Sequence, residues 1–436
     1  MNRPLHVHVV GAGLAGLAAA TALASRGVRV SVYEAGPAAG GRARSYLDRE
    51  LGVVIDNGNH LLLSGNRAAM AYLARIGARD PLTGPAQPRF PFIELPSGRR
   101  WTVAPNAGRI PWWVLVPSRR VPGARLYEYL ALRRLMRAGP GETVASLLAP
   151  GALARRLLEP LAIAALNTMP AEAEARLLGA VVAETLAQGG TACRPLVARE
   201  GLSESFVHPA RDFLASHGGK LRTGTRLAAI ETAAGRVTLL RFAGADVALG
   251  PDEAVVLAVP AAVAPTLLPG LTAPDAFEAI VNLHYRVTAD LPGGTGFNGP
   301  AGGAGFIGII GGTAEWLFAR PHVLSVTISA ANRVVDRDAG DLARTVWPEV
   351  TAAAGLTTPM PAWRVVKERR ATFAATAAQN ARRPGPRTAF TNLILAGDWT
   401  ATGLPATIEG AIRSGDRAAA ALLDPDTAPQ TGPNPA

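Results

Sequence analysis

The stretch Leu5-His6-Val7-His8-Val9-Val10-Gly11-Ala12-Gly13-Leu14-Ala15-Gly16 decides the fold of this chain. An apolar run typical of a strand leads into a G-x-G-x-x-G turn, and an Ala- and Leu-rich helical stretch follows. In this pattern the first glycine allows a tight turn, the second lets the backbone approach a pyrophosphate, and the third lets the helix pack on the strand. The helix N-terminus then offers N–H groups and a positive dipole end to the phosphates. The stretch predicts a dinucleotide-binding unit and redox chemistry.

A second predicted strand, residues 28–33, strengthens this interpretation because it ends at Glu34. A carboxylate at this spacing suits a hydrogen bond to a ribose hydroxyl. The alternative is a solvated charge at a strand end, since charged side chains are mostly exposed. Residues 7–24 could also be a signal peptide or a membrane span. Arg3 is the only basic residue ahead of this run and ordered glycines interrupt it, so we favour the nucleotide-binding unit.

Composition indicates a globular protein of 436 residues, with 48% hydrophobic and 18% charged residues, which is long enough for two or three domains. The net charge of +11 raises the question of a nucleic-acid or membrane partner. Only Lys220 and Lys367 are lysines, and we interpret the many arginines as scattered products of nucleotide composition. No zinc-finger spacing or aromatic–glycine RNA-binding signature is present, so we predict no nucleic-acid partner.

Cysteine and histidine usage restricts the chemistry. Cys193 is the only cysteine, so neither an intramolecular disulfide nor a redox thiol pair can form, which agrees with a reducing compartment. A bound cofactor must therefore carry the electrons. The seven histidines show no metal-ligand spacing, and His6 and His8 alternate along the predicted first strand. We predict no metal site.

Two further segments carry candidate contacts. Paired glycines before Arg42 form a loop that can touch a phosphate through backbone and guanidinium. Residues 110–117 are apolar and aromatic, with Trp112 and Trp113, and Arg119 and Arg120 follow them. Aromatic residues beside arginines suit a bilayer interface. The alternative, a core segment, is favoured because large apolar residues are most often buried.

These motifs together resemble the flavin amine oxidase and phytoene desaturase superfamily, since Leu395-Ala396-Gly397-Asp398 lies near the other chain end. The resemblance covers nearly the whole chain and implies one non-covalent FAD that both chain ends contact. It implies that Asp398 approaches the ribityl–pyrophosphate side, that the backbone of residues 407–411 meets the flavin carbonyl, and that Leu227 lies beside adenine. The predicted cofactor contacts are Gly11, Ala12, Gly13, Leu14, Ala15, Gly16, Glu34, Ala35, Gly41, Arg42, Gly58, Asn59, His60, Leu227, Pro260, Gly397, Asp398, Thr407 and Ile408.

The fold class that we expect is α/β, with a Rossmann-like FAD-binding domain of the GR2 type and a mixed α+β substrate domain. Strand-like segments are separated along the chain, so the parallel sheet is assembled from residues 1–78, 205–270 and 385–423. Residues 79–204 and 271–384 are assigned to the substrate domain. Residues 424–436 are polar and Pro-rich, and we expect a disordered tail.

Residues 56–60, 159–167 and 397–410 resemble more narrowly the hydroxysqualene dehydroxylases, bacterial squalene-associated FAD-dependent desaturases. Asn59 stands where that family usually has Gln, and Ile163 stands where it often has Cys. The resemblance implies that an allylic C30 alcohol is reduced to squalene, for hopanoid or sterol synthesis, in a dry pocket that excludes water. The predicted substrate-pocket residues are Leu166, Asn167 and Trp399.

His60 is the candidate general acid, because histidine titrates near neutral pH. The alternative is a structural or flavin-contacting residue, since no second member of an acid–base pair is visible. Two other functions stay open: a carotenoid-type desaturase or isomerase on the same fold, and a non-catalytic prenyl-lipid-binding protein. An amine oxidase is less favoured. A lipophilic isoprenoid substrate predicts a bacterial cytoplasmic protein loosely attached to the inner membrane, and the oligomeric state is left open.

Overall fold

The structure is a computed structural model that describes residues 3–287 and 305–424. The predicted disordered tail, except Asp424, lies outside the described residues. In chain order the strands are β1 (His6–Val10), β2 (Arg29–Tyr33), β3 (Ser45–Asp48), β4 (Val53–Asp56), β5 (Leu62–Leu63), β6 (Leu82–Thr83), β7 (Phe90–Glu94), β8 (Arg99–Val103), β9 (Pro195–Ala198), β10 (Lys220–Arg222), β11 (Leu227–Ala233), β12 (Arg236–Phe242), β13 (Val247–Ala248), β14 (Glu253–Leu257), β15 (Phe277–Arg286), β16 (Gly305–Ile310), β17 (Trp316–Arg320), β18 (Val323–Ile328), β19 (Trp363–Phe373) and β20 (Leu393–Leu395). The α-helices are α1 (Leu14–Ala24), α2 (Arg67–Arg75), α3 (Leu130–Met136), α4 (Val144–Leu147), α5 (Glu159–Leu166), α6 (Ala175–Glu184), α7 (His208–Ser216), α8 (Ala264–Leu267), α9 (Ala339–Ala354), α10 (Ala377–Ala381) and α11 (Ile408–Leu423).

The first of the two large sheets is parallel and has five strands in the order β10-β2-β1-β14-β20. Alternate residues along its central strands enter opposite clusters. Val9 and Val256 pack with the face that holds α1 and α11, whereas Val10 and Leu257 pack on the other face. A parallel strand covered on both faces needs apolar residues at successive positions, which explains the unbroken apolar runs in the sequence. The parallel sheet that we predicted is therefore confirmed.

The second large sheet is mixed and has seven strands in the order β19-β15-β18-β17-β16-β7-β8. Helix α9 covers one face, with Leu342 and Val346 fully buried against the strands. The opposite side carries an aromatic cluster that includes Phe92, Phe306 and Trp316. Antiparallel pairing joins β7 to β8 and β11 to β12, so each pair forms a hairpin. This second sheet confirms the mixed α+β part of the fold.

The chain crosses between the two sheets more than once. The parallel sheet takes its strands from residues 6–33, 220–257 and 393–395, which lie inside the three segments assigned to the FAD-binding domain. The mixed sheet takes its strands from residues 90–103 and 277–373. The domain boundaries themselves stay a prediction. Among the described helices, none has the length and apolar character needed to cross a bilayer.

Candidate cofactor and active site

The nucleotide-binding turn needs glycine at two positions for internal packing and leaves open space at the third. Gly11 has a φ of +102°, and a Cβ there would lie 2.4 Å from the Ala258 carbonyl oxygen. A Cβ at Gly16 would lie 1.9 Å from the Gly11 carbonyl oxygen. At Gly13, by contrast, an added Cβ would have no atom within 4 Å. This open position is where the motif expects a pyrophosphate to approach the backbone.

Helix α1 presents an uncapped N-terminus beside this open position. Its N-cap residue is Gly13, which provides no side-chain oxygen, and the first turn contains no acidic residue. The first-turn N–H groups and the helix dipole therefore lack a negative partner from the helix itself. Such an end binds an anion favourably.

Glu34 lies at the end of β2, where its carboxylate spans the turn and the next loop. One carboxylate oxygen accepts the Ala12 N–H at 2.9 Å, and the other accepts the Gly36 N–H at 2.8 Å. Each oxygen keeps a further lone pair that a ribose hydroxyl can use. The Thr225 N–H binds the backbone carbonyl of Glu34 at 2.8 Å, two residues before β11 starts at Leu227. The structure thus places the two predicted adenosine contacts at one edge of the sheet.

Arg42 and Asp398, which lie far apart in the sequence, meet in an ion pair. The Arg42 guanidinium donates from Nη2 to Asp398 Oδ1 at 2.8 Å and from Nη1 to the Ala371 carbonyl. The Asp398 side chain is 8% exposed, and its charge raises the pKa of Arg42. The Gly40 N–H binds the Ala12 carbonyl at 2.8 Å, so the loop that carries Arg42 is joined to the nucleotide-binding turn. Three predicted cofactor motifs therefore converge.

Helix α11 completes this side of the site. The Thr407 hydroxyl caps it by accepting the Gly410 N–H at 3.1 Å. A Cβ at Gly415 would lie 2.2 Å from the Ala15 carbonyl oxygen, so only glycine lets α11 approach α1 this closely. The Gly397 N–H is held by the Ser414 hydroxyl at 2.8 Å. The sequence reasoning missed Gly415 and Ser414, and a small residue inside an amphipathic helix is the signal that could have revealed them.

The remaining predicted cofactor contacts lie on the segments that border these groups. Ala35 and Pro260 are exposed, and Gly58 is partly exposed. Pro260 follows β14, where the Ala258 N–H binds the Val10 carbonyl. The uncapped N-terminus of α1 and the Arg42 guanidinium offer hydrogen-bond donors to a diphosphate, and the open position at Gly13 gives it room. The Glu34 carboxylate can accept a hydrogen bond from a ribose hydroxyl. The residues present fit an extended dinucleotide cofactor.

A cleft lies beside the turn that follows β4. It is lined by Asp56, Asn59, His60, Val197, Ala198, Leu202, Gly305, Phe318, Ala319 and Arg320. The Asp56 carboxylate accepts the Ser45 hydroxyl at 2.6 Å, and its other oxygen lies 3.1 Å from Arg320 Nη2. The cleft is small, with a volume of about 20 Å³, and its wall combines these two charged side chains, Asn59 and His60 with apolar residues. Sequence reasoning missed Arg320, because the long-range pairing with Asp56 leaves no local pattern.

His60 is uncharged in this cleft at neutral pH. Burial lowers its pKa to about 4, because the Asp56 carboxylate only partly opposes the loss of solvation and Arg42 lowers the pKa further. At pH 7 the imidazolium form is then roughly one molecule in a thousand. This charge state argues against the predicted general-acid role, and it leaves the imidazole N–H as a hydrogen-bond donor.

Asn59 attaches the same turn to the mixed sheet. Its side-chain amide donates to the Thr327 hydroxyl at 3.1 Å, and its backbone N–H lies 3.4 Å from Asn282 Oδ1. The Thr327 hydroxyl in turn donates to Asn282 Oδ1 at 2.9 Å. These partners, on β15 and β18, are buried, so the turn is held rigidly against the second sheet.

The three predicted substrate-pocket residues are buried in packing. Asn167 ends α5 with a φ of +49°; its side-chain amide donates to the Thr372 hydroxyl at 2.9 Å and its oxygen accepts the Ala330 N–H at 2.6 Å. Trp399 donates its indole N–H to the Val259 carbonyl at 2.9 Å. Leu166 and Trp399 belong to the same apolar cluster. All three therefore act as packing or tethering residues here, and their contact with a substrate stays a prediction.

A histidine pair lies on the first strand of the parallel sheet. His6, His8 and Glu253 offer ligand atoms within 4.8 Å of one another. His6 Nδ1 is 2.9 Å from Glu253 Oε1, and His8 Nδ1 is 3.1 Å from the Tyr33 hydroxyl. Burial lowers the pKa of His8 to about 4. These hydrogen bonds account for the arrangement without a metal, and the absence of a metal site stays a prediction.

The model of the family of flavin-containing amine oxidoreductases matches residues 14–423. The chain belongs to this family, and it is a flavin-dependent oxidoreductase with FAD as its cofactor. Within the family, its similarity to hydroxysqualene dehydroxylases extends over nearly the full length. The chain is 50% identical over 419 residues to the hydroxysqualene dehydroxylase of Rhodopseudomonas palustris, which covers 96% of this chain and 98% of that protein.

A second full-length relative agrees. The hydroxysqualene dehydroxylase of Sinorhizobium fredii is 48% identical over 417 residues, covering 95% of this chain and 98% of the relative. Among solved structures, an oxidoreductase from Methanosarcina mazei superposes with a TM-score of 0.70 at 14% identity, covering 94% of this chain and 98% of that one. At this identity the structural likeness supports the fold alone.

Proposed function

We propose that this protein catalyses the FAD-dependent reductive dehydroxylation of hydroxysqualene to squalene. The observation that carries the proposal is the 44–50% identity to three hydroxysqualene dehydroxylases over nearly the whole chain. In the overall reaction the C–O bond of an allylic alcohol breaks, the carbon gains a hydride, and the hydroxyl leaves with a proton as water. The product is a precursor for hopanoid or sterol synthesis.

Bound FAD, in its reduced form, supplies the hydride from N5. The protein holds the dinucleotide through the turn at Gly13, the Glu34 carboxylate and the Arg42–Asp398 pair. Because Arg42 keeps 41% of its side chain exposed, it can bind Asp398 and still face a phosphate. The chain thus orients the cofactor from both of its ends.

The cleft at His60 supports the proposal because part of its wall is apolar. Leu202, Phe318 and Ala319 form the apolar part of its wall, and beside a bound substrate they would keep water away from an electron-deficient allylic carbon. The neutral His60 imidazole can donate a hydrogen bond to the departing hydroxyl, although its low pKa prevents efficient transfer of a full proton. We assign it the role of a hydrogen-bond donor.

The variant His60→Gln tests this assignment, because glutamine keeps an N–H donor and cannot titrate. We expect it to retain most of the turnover, whereas His60→Ala lowers turnover about tenfold, the range for one lost hydrogen bond. Both variants should keep bound FAD and the pH profile of the native enzyme. The turnover of the native enzyme could instead fall as the pH rises, and His60→Gln could abolish this pH dependence. That result would assign His60 as the general acid.

The direction of the reaction is tested with purified holoenzyme and two substrates. Hydroxysqualene under anaerobic reducing conditions should yield squalene, identified by mass spectrometry. Phytoene under oxidising conditions should return unchanged. Desaturated phytoene together with unreacted hydroxysqualene would favour the carotenoid-type desaturase. A lipid that binds without any change of the flavin spectrum in either direction would favour the non-catalytic lipid-binding protein.

A further inference from the structure

A solvent-facing apolar surface lies on the segment that joins β8 to α4. We call it the apolar face, and its members are Ile110, Trp112, Leu115, Leu126, Tyr127 and Leu130. Their exposed fractions run from 47% for Trp112 to 79% for Ile110. Seven of the twelve exposed large hydrophobic residues in the described ranges fall within residues 110–136. Single exposed apolar residues are ordinary, but such a concentration marks an interaction site.

The local structure forces these side chains outward. Residues Trp112–Leu115 and Leu126–Tyr129 form two 3-10 turns that contact each other. Trp113 and Tyr129 face inward, with ring centroids 5.4 Å apart in an edge-to-face arrangement. Trp113 is 2% exposed and packs in the core, as one of the two predictions for this segment has it. Trp112 is exposed, as the other prediction, a bilayer interface, requires. The two adjacent tryptophans therefore have opposite roles.

The charges around the apolar face are almost entirely positive. Residues 109–137 contain seven arginines and one acidic residue. That acid, Glu128, is buried, and its carboxylate accepts the N–H groups of Arg125 and Leu153. Arg119 and Arg120 are only partly exposed, and the Arg119 guanidinium lies 5.0 Å from the Trp112 ring and donates to the Ala104 carbonyl. Arg133 and Arg134, on α3, are exposed. The interpretation of the arginines as scattered does not hold for this segment.

An apolar cluster connects this region with the cleft at His60. Trp113, Tyr129 and Phe306 are buried in one cluster, and Leu61 and Phe318 pack against it. Phe318 is also a wall residue of the cleft. A contiguous set of hydrophobic side chains therefore extends from beneath the apolar face to the candidate active site.

We propose that the apolar face docks on the surface of an anionic lipid bilayer. Aromatic and aliphatic side chains enter the interfacial region of a membrane, and flanking arginines attract anionic headgroups. A nucleic acid would match the arginines, but it offers nothing to Ile110 or Leu115. Docking rests on this surface alone and does not depend on which lipid the enzyme transforms.

Vesicle co-sedimentation of the FAD-loaded enzyme tests the proposal. Vesicles that contain roughly a third phosphatidylglycerol should bind the enzyme, and pure phosphatidylcholine vesicles should bind it at least tenfold more weakly. Trp112→Ala/Leu115→Ala should lower the partition coefficient at least tenfold. Arg133→Glu/Arg134→Glu should do the same, because each basic residue near an anionic membrane surface strengthens binding about fivefold. The matched control Leu47→Ala/Val54→Ala, which removes two exposed apolar side chains from β3 and β4, should leave binding unchanged.

Each variant is also checked for bound FAD, for its melting temperature and for turnover of detergent-dispersed hydroxysqualene. These should match the native enzyme, which separates docking from folding and from catalysis. The proposal is overturned if the native enzyme does not bind anionic vesicles, or if the face variants bind as well as the control. It is also overturned if Trp112→Ala/Leu115→Ala changes the oligomeric state instead, or if the arginine variant loses binding to DNA or RNA but keeps vesicle binding. Since vesicle binding is read without substrate, failure of the proposed reaction would not affect this result.

Discussion

Replacing Gly13 by alanine separates folding from cofactor binding, because the structure gives this glycine no internal packing role. Its backbone is extended, with φ −71° and ψ 175°, and an added Cβ would meet no atom within 4 Å. Gly13→Ala should therefore leave the apoprotein as stable as before, or stabilise it by about 0.4–1 kcal/mol through the less flexible unfolded chain. By contrast, Gly16→Ala would place a Cβ 1.9 Å from the Gly11 carbonyl oxygen and destabilise the fold.

The same methyl group at Gly13 occupies the space that the pyrophosphate needs. An overpacked contact costs roughly 1–3 kcal/mol, which corresponds to about a 5- to 150-fold weaker Kd for FAD. Thermal unfolding of the apoprotein and titration with FAD measure the two effects. Gly244→Ala is the matched control, because a Cβ at this exposed loop position also meets nothing within 4 Å. It should have the same small effect on the stability of the apoprotein and leave the affinity for FAD unchanged. If Gly13→Ala binds FAD as tightly as the native chain, the dinucleotide does not approach the turn there and our account of the site is wrong.

Three further perturbations follow from particular contacts. Asp398→Asn and Arg42→Met should each weaken FAD binding by roughly 10- to 100-fold. Because both variants remove the same ion pair, the loss of binding free energy that titration measures for the double variant should be smaller than the sum of the two single losses. Burial lowers the pKa of His8 to about 4 and that of His284 to about 3. As the pH falls, the unfolded chain therefore binds protons to these histidines before the folded chain does. The free energy of unfolding, which keeps their full contribution above about pH 6.5, should fall by about 1.4 kcal/mol per pH unit per histidine as the pH drops toward 4. Urea unfolding at several pH values checks this, with His284→Asn reducing the slope, and a pH-independent stability would contradict it. Asn167→Ala should lower the free energy of unfolding by about 2–4 kcal/mol, since three hydrogen bonds are lost, and should leave FAD affinity unchanged in titration. A native-like stability would show that the tether at α5 is dispensable.

The sequence predicts the nucleotide-binding unit well because its determinants are local. A strand, three glycines and a helix occupy one short stretch, and Glu34 follows at a fixed spacing. The same holds for the unbroken apolar strands of the parallel sheet. Local chemistry of this kind is readable without knowledge of the fold.

The rest of the site depends on contacts between distant segments. Asp56 meets Arg320, and Asn59 meets Asn282, through pairings that no sequence period records. The charge of His60 is likewise not readable from residue type, since burial sets its pKa, and its general-acid role stays a prediction. The two neighbours Trp112 and Trp113 make the same point, because only the turn geometry separates an exposed ring from a buried one.

Isotope labelling of the product tests the central claim most directly. The holoenzyme is reduced in D₂O, where the flavin N5 proton exchanges with solvent, and is then given unlabelled hydroxysqualene. Our account predicts squalene that carries one deuterium at the former carbinol carbon. Unlabelled squalene, or hydroxysqualene recovered unchanged from an enzyme that is loaded with reduced FAD, would contradict hydride delivery by this protein.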